Sequence, residues 1–264
     1  MSNAIFLRAG DRFVPTDLAR GPWTPDAQHG GPPAALLARA IERFDGGESM
    51  FVARLTVELL RPVPLAPLLI QTRLARPGRK VQLIAASLFR TDTEVARATG
   101  LRIRQADLPL SADASPAPPP GPEHGESTLP PWADALEYKA FHSAAVEHRF
   151  VGGSFLHPGP ATDWIRLRVP LVEGEKTSPL CRVAAVSDFG NGVSWVLNRG
   201  DGYSFINPDL TIYLHRLPAG EWVCLDAVTR VQPHGVGLAE STLFDEHGII
   251  GRALQSLIVE HVAD

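Results

Sequence analysis

The chain has 264 residues, 44 % of them hydrophobic and 20 % charged, with a formal charge of −4 and two cysteines. That length suits one large domain or two of about 130 residues, and the composition excludes a wholly disordered chain. The acidic balance argues against a nucleic-acid binder, no apolar run reaches the ~18 residues of a membrane span, and Cys181 and Cys224 stand too far apart for a disulfide framework. The start lacks a basic patch followed by an apolar stretch, so no secretory signal is read there. The expectation is a soluble, cytoplasmic protein.

Extended sequence over Phe6–Val14 comes first, and then Gly30-Gly31-Pro32-Pro33 opens an alanine- and leucine-rich segment running to about Phe44. Glycine before the turn and proline inside it are helix-start chemistry. Small apolar residues on nearly every side predict a helix covered all round. Four strand-like runs follow: Phe51–Leu60, Leu68–Ala75, Lys80–Arg90 and Val95–Arg104. The first alternates Phe51, Ala53, Leu55 and Val57 against Arg54, Thr56 and Glu58, which gives one buried and one wet face. Eight prolines between Pro109 and Pro131 then forbid helix and central strand, and read as an extended linker.

The second half repeats this order. Extended pieces over Ser143–Val151 and Trp164–Val169 precede a helix opened by Thr177-Ser178-Pro179, which stops at Phe189-Gly190-Asn191-Gly192. Strand-like runs follow at Tyr203–Arg216, Trp222–Arg230, Gly237–Asp245 and Ile249–Glu260. Leu60-Arg61-Pro62 registers on His215-Arg216-Leu217-Pro218, and Val95-Ala96-Arg97-Ala98 on Ile250-Gly251-Arg252-Ala253. Such self-similarity suggests duplication. The predicted division is 1–108 for the first repeat, 109–133 for the linker and 134–264 for the second repeat.

A helix wrapped by an antiparallel sheet, occurring twice, resembles the α+β double hotdog fold. In order and spacing, His29-Gly30-Gly31, Leu59-Leu60-Arg61-Pro62, Ala185-Val186-Ser187-Asp188, Tyr213-Leu214-His215-Arg216 and Arg252-Ala253-Leu254-Gln255 resemble the TesB-like acyl-CoA thioesterases. The resemblance implies hydrolysis of a fatty or other apolar acyl-CoA, with no metal or organic cofactor, in a homo-oligomer. In that family an Asp, a Thr or Ser and a Gln hold the attacking water. Carried over by position, these are Asp188, Asn207 in place of the hydroxyl residue, and Gln255.

Registering the halves sets Asp188 opposite Arg39, Asn207 opposite Val52 and Gln255 opposite Gly100. All three polar groups therefore sit in the second half, which implies one composite site completed by something from the first. The candidate is the Gly30-Gly31 helix start, whose backbone N–H groups and positive dipole end suit a developing oxyanion, with His29 beside it as a candidate substrate-binding residue. Structural readings stand beside these. Asp188 fits a helix-ending turn, Asn207 a bulge beside Pro208, Gln255 a buried hydrogen bond, and His29 a packing or capping residue. A non-catalytic acyl-CoA-binding protein, or an acyl-transfer enzyme, would use the same fold.

Overall fold

Pro32 and Pro33 occupy the first turn of helix α1 (Gly31–Glu42), where a missing N–H removes no hydrogen bond. Every residue from Gly31 to Arg39 is buried, so the helix is enclosed as its sequence predicts. Helix α2 (Pro179–Ser187) begins in the same manner with proline in its first turn, and Ser178 Oγ accepts from Cys181 N at 3.2 Å as its cap. The two helices lie against each other at close range. A Cβ on Gly31 would run into the Ala185 carbonyl oxygen, so only glycine allows this approach.

The computed structural model describes residues 3–44, 50–109, 116–130, 133, 138–197 and 199–261. Thirteen strands form one sheet around the helices. They are β1 (Phe6–Ala9), β2 (Arg12–Pro15), β3 (Met50–Leu59), β4 (Leu68–Arg76), β5 (Val81–Arg90), β6 (Thr93–Arg104), β7 (Val146–Gly152), β8 (Ala161–Leu167), β9 (Tyr203–Ile206), β10 (Asp209–Leu214), β11 (Val223–Val231), β12 (Val236–Asp245) and β13 (Gly248–His261). The order is β1-β2-β4-β5-β6-β3-β10-β13-β12-β11-β8-β7, with β9 on β13. This is the double hotdog, and the two halves join through antiparallel pairing of β3 with β10. At the centre of that joint Thr56 pairs with Thr211, its own counterpart 155 residues later. The approximate two-fold axis of the duplication passes there. Strand β4 and its counterpart β11 have equal length, as do β5 and β12.

Three boundaries differ from the sequence reading. The run Tyr203–Arg216 is not one strand: it breaks at Asn207-Pro208 into β9 and β10, since proline cannot donate to a ladder. Ser143 lies not in a strand but in a π-helical turn over Phe141–Ala145 that precedes β7. The second helix does not end for good at Phe189, because Gly190–Val193 makes a further turn, α3. The described part of the proline-rich stretch packs on the second half. Trp164 Nε1 donates to Pro120 O at 2.7 Å, and Glu126 bridges to Phe150.

Candidate active site

Asp188 caps the C-terminus of α2, where a carboxylate meets the negative end of that helix dipole. The fold compensates by aiming the start of α1 at it. A Cβ built on Gly30 would stand 2.7 and 2.9 Å from the two Asp188 carboxylate oxygens. The acid therefore rests on the glycine at the positive end of the other helix. Asp188 is 9 % exposed, buried yet reachable.

The other residues selected from sequence converge on the same carboxylate. Asn207 Nδ2 donates to Asp188 Oδ1 at 2.7 Å. Gln255 Nε2 lies 3.2 Å from the same oxygen and 3.1 Å from the Asp188 carbonyl. Gln255 cannot turn over, because its Oε1 accepts from Asn191 N at 3.0 Å at the start of α3. The sequence reading had Asn207 and Gln255 grip a water directly. Here their amides bond the carboxylate itself.

His29 stands on the other side. Its Nδ1 lies 2.9 Å from Asp188 Oδ2, and Gly31 N lies 3.1 Å from the same nitrogen. The ring is held between Phe141 and Phe189, at centroid distances of 5.1 and 4.6 Å. Pro32 and Pro33 carry no N–H, so Gly31 has the only backbone donor among the first three residues of α1.

Two more histidines adjoin this pocket. His148 is fully buried and pairs with Asp163 through Nδ1 at 2.6 Å, while its ring stands edge-on to Phe189. Burial pushes the Asp163 carboxyl up, and the His148 contact opposes that shift. His142, in the π-helical turn, has its pKa lowered to about 3 by burial first, then by the neighbouring His29 and His148. Neither cysteine offers a nucleophile. Burial, assisted by Glu42, pushes the Cys181 thiol up to about 12, and burial raises Cys224 as well. Among the described residues no group of three His, Cys, Asp or Glu side chains converges as metal ligands would.

Two family models match the chain in succession: the acyl-CoA thioesterase N-terminal domain over residues 19–103 and the acyl-CoA thioesterase C-terminal domain over residues 111–259. The chain belongs to the TesB-like acyl-CoA thioesterase family. It is a thioester hydrolase by that membership. Solved structures give the same fold at low identity. A hot dog protein of unknown function from Alicyclobacillus acidocaldarius is 14 % identical, covers 99 % of this chain and 98 % of its own, and superposes with a TM-score of 0.73. The tesB protein of Mycobacterium avium subs paratuberculosis is 16 % identical, with 97 % and 96 % covered and a TM-score of 0.68. The acyl-CoA thioesterase II TesB2 from Mycobacterium marinum is 17 % identical, with 90 % and 91 % covered and a TM-score of 0.66. No protein of curated function matches the sequence.

Within this thioesterase the duplicated halves have exchanged volumes. In the first, Gly100 leaves room for Ile41, which a Cβ there would strike. At the corresponding places of the second stand Gln255 and Gly190, and a Cβ on Gly190 would stand 2.9 Å from Gln255 Oε1. The large residue has moved from helix to strand and become polar. At the pseudo-equivalent of Asp188, Arg39 makes a two-pronged bond to Glu175 at 2.8 and 2.6 Å beside the start of α2. That ion pair fills the place where a second acid would stand. The repeat register already contained the Gly190–Gln255 exchange, read two residues beyond the Arg39–Asp188 pair. The sequence placed the α1 start at the composite site, but not the contact of His29 Nδ1 with Asp188 Oδ2.

Proposed function

We propose that this chain hydrolyses acyl-CoA thioesters with an apolar acyl group, using one composite site per chain. The observation that carries the reading is the convergence of Asn207, Gln255 and His29 on Asp188 beside the α1 start. A carboxylate oxygen has two lone pairs. Asn207 and Gln255 occupy both on Oδ1, while His29 with a proton on Nδ1 takes one on Oδ2. Oδ2 thus keeps a free lone pair and is the oxygen that takes the proton of the attacking water. Water oxygen bonds to the thioester carbon, and the carbonyl oxygen becomes an oxyanion accepting from Gly31 N–H. The carbon–sulfur bond then breaks, and the thiolate recovers the proton from Asp188, leaving acid and coenzyme A.

The residues beside the site are apolar, and an acyl chain entering there would have to part them. Val196, Leu197, Phe205, Val231, Leu257 and Val259 meet with Asn191 and Thr229 around a space with no room for a single water. Leu257 and Val259 continue the face of β13 that carries Gln255, and Phe205 lies two residues before Asn207. This packed apolar cluster therefore begins where the carboxylate network ends. The division into 1–108, linker 109–133 and 134–264 is part of this reading. So is a homo-oligomer: Ile103 and Ile258, related by the duplication, are large apolar side chains left 41 % and 49 % exposed on the sheet. Two unpaired cysteines suit a reducing compartment such as the cytoplasm, and among the described residues no helix is long and apolar enough to cross a membrane.

The test is release of free thiol from acyl-CoAs of increasing chain length, including an aromatic one. Turnover is expected with kcat/KM rising from acetyl to longer apolar groups. Absence of turnover across the panel with tight binding would leave an acyl-CoA-binding protein instead.

A further inference from the structure

Each imidazole nitrogen has one position in the ring plane, filled by a proton or by a lone pair. His29 Nδ1 faces two partners that demand opposite fillings. Asp188 Oδ2, as a carboxylate oxygen 2.9 Å away, requires a proton on Nδ1. Gly31 N–H, at 3.1 Å, requires a lone pair there. Both bonds cannot exist at once. The ring cannot swing aside to avoid the choice, because Phe141 and Phe189 flank it and its backbone N–H is tied to Ala19 O at 2.9 Å.

We propose that His29 is a positioning residue whose tautomer links the base to the oxyanion donor. With Nδ1 protonated, the ring holds Asp188 Oδ2 and leaves the Gly31 amide to the substrate oxygen. With Nδ1 bare, the ring occupies that amide and gives up its bond to the carboxylate. A bound thioester carbonyl takes the Gly31 N–H and so drives Nδ1 to the protonated form. In the free enzyme the Gly31 bond competes with the charge-assisted bond to Asp188, and the substrate oxygen removes that competition. Substrate engagement thereby fixes Asp188 at the moment it is needed.

The proposal rests on the thioesterase reading and is tested by two variants and one spectrum. His29→Phe keeps a ring between Phe141 and Phe189 but removes the bond to Asp188. We expect kcat to fall on the order of tenfold to a hundredfold, the worth of one hydrogen bond to a charged group, with KM little changed. His29→Gln supplies an N–H and is expected to recover most of that loss. In protein with 15N-labelled histidine, a ketone analogue of acyl-CoA, with methylene in place of the thioester sulfur, should shift the His29 signals to the Nδ1-protonated tautomer. The proposal is overturned by wild-type kcat in His29→Phe, by His29→Gln being no better than His29→Phe, or by Nδ1 remaining bare with the analogue bound. A wild-type protein without turnover would sink the thioesterase reading instead. The His29 signals, compared between wild type and Asp188→Asn, would still report whether Nδ1 is bonded to the carboxylate.

Discussion

Asp188→Asn is expected to reduce kcat by about 10²- to 10⁴-fold, the usual worth of a general base, while leaving acyl-CoA binding nearly intact. The replacement amide has almost the same shape as the carboxylate. Its carbonyl oxygen can still accept from Asn207 and Gln255, which stand 2.7 and 3.2 Å from Asp188 Oδ1. What it loses is the capacity to take a proton, because an amide is not a base near neutrality. Thiol release gives kcat, and calorimetry with the ketone analogue gives binding. Turnover within about tenfold of wild type would exclude Asp188 as the base.

Acidification is expected to destabilise the fold steeply, with His142 a large contributor. Its pKa, ordinarily 6.5, is held at about 3 in the folded protein, first by burial and then by His29 and His148. Between those values the unfolded chain binds a proton that the folded chain refuses. Stability is therefore unaffected above pH 6.5 and is lost at about 1.4 kcal/mol per pH unit as pH falls towards 3, roughly 4 to 5 kcal/mol in all. That is a large part of the 5–15 kcal/mol typical of a folded domain. Glu175 adds to the loss: Arg39 outweighs its desolvation and holds it below the ordinary 4.5, so its stabilisation is present above 4.5 and disappears as pH falls through the folded value. Urea unfolding of wild type and His142→Gln at pH 7, 6, 5 and 4 separates the terms. The variant should show a slope shallower by one proton between pH 6.5 and 4. Equal slopes would show that His142 accepts its proton in the folded state.

The sequence revealed the parts of the fold that repeat. Proline in the first turn located both helices, and alternation located the long strands, because these signals depend on neighbours along the chain. Strand β9 was lost inside one long run, since only Asn207-Pro208 separates Ile206 from Asp209. At the site, Asp188, Asn207 and Gln255 were found through family positions and the repeat register. What they do to one another was not legible, since a 2.7 Å bond between residues 19 positions apart depends on where α2 ends and β10 begins. The glycines show the same limit. Gly30 and Gly31 read as a helix start, but their necessity comes from Asp188 and Ala185 in the other half.

Unequal divergence of the two halves fits the proposed single site. The Arg39–Glu175 pair replaces the second acid, and Ile41 against Gly100 replaces the second amide. The most direct test of this account is to count sites by calorimetric titration with the ketone analogue. One equivalent bound per chain, competing with substrate turnover, is the predicted result. Two equivalents of equal affinity per chain would contradict the composite, one-sided site.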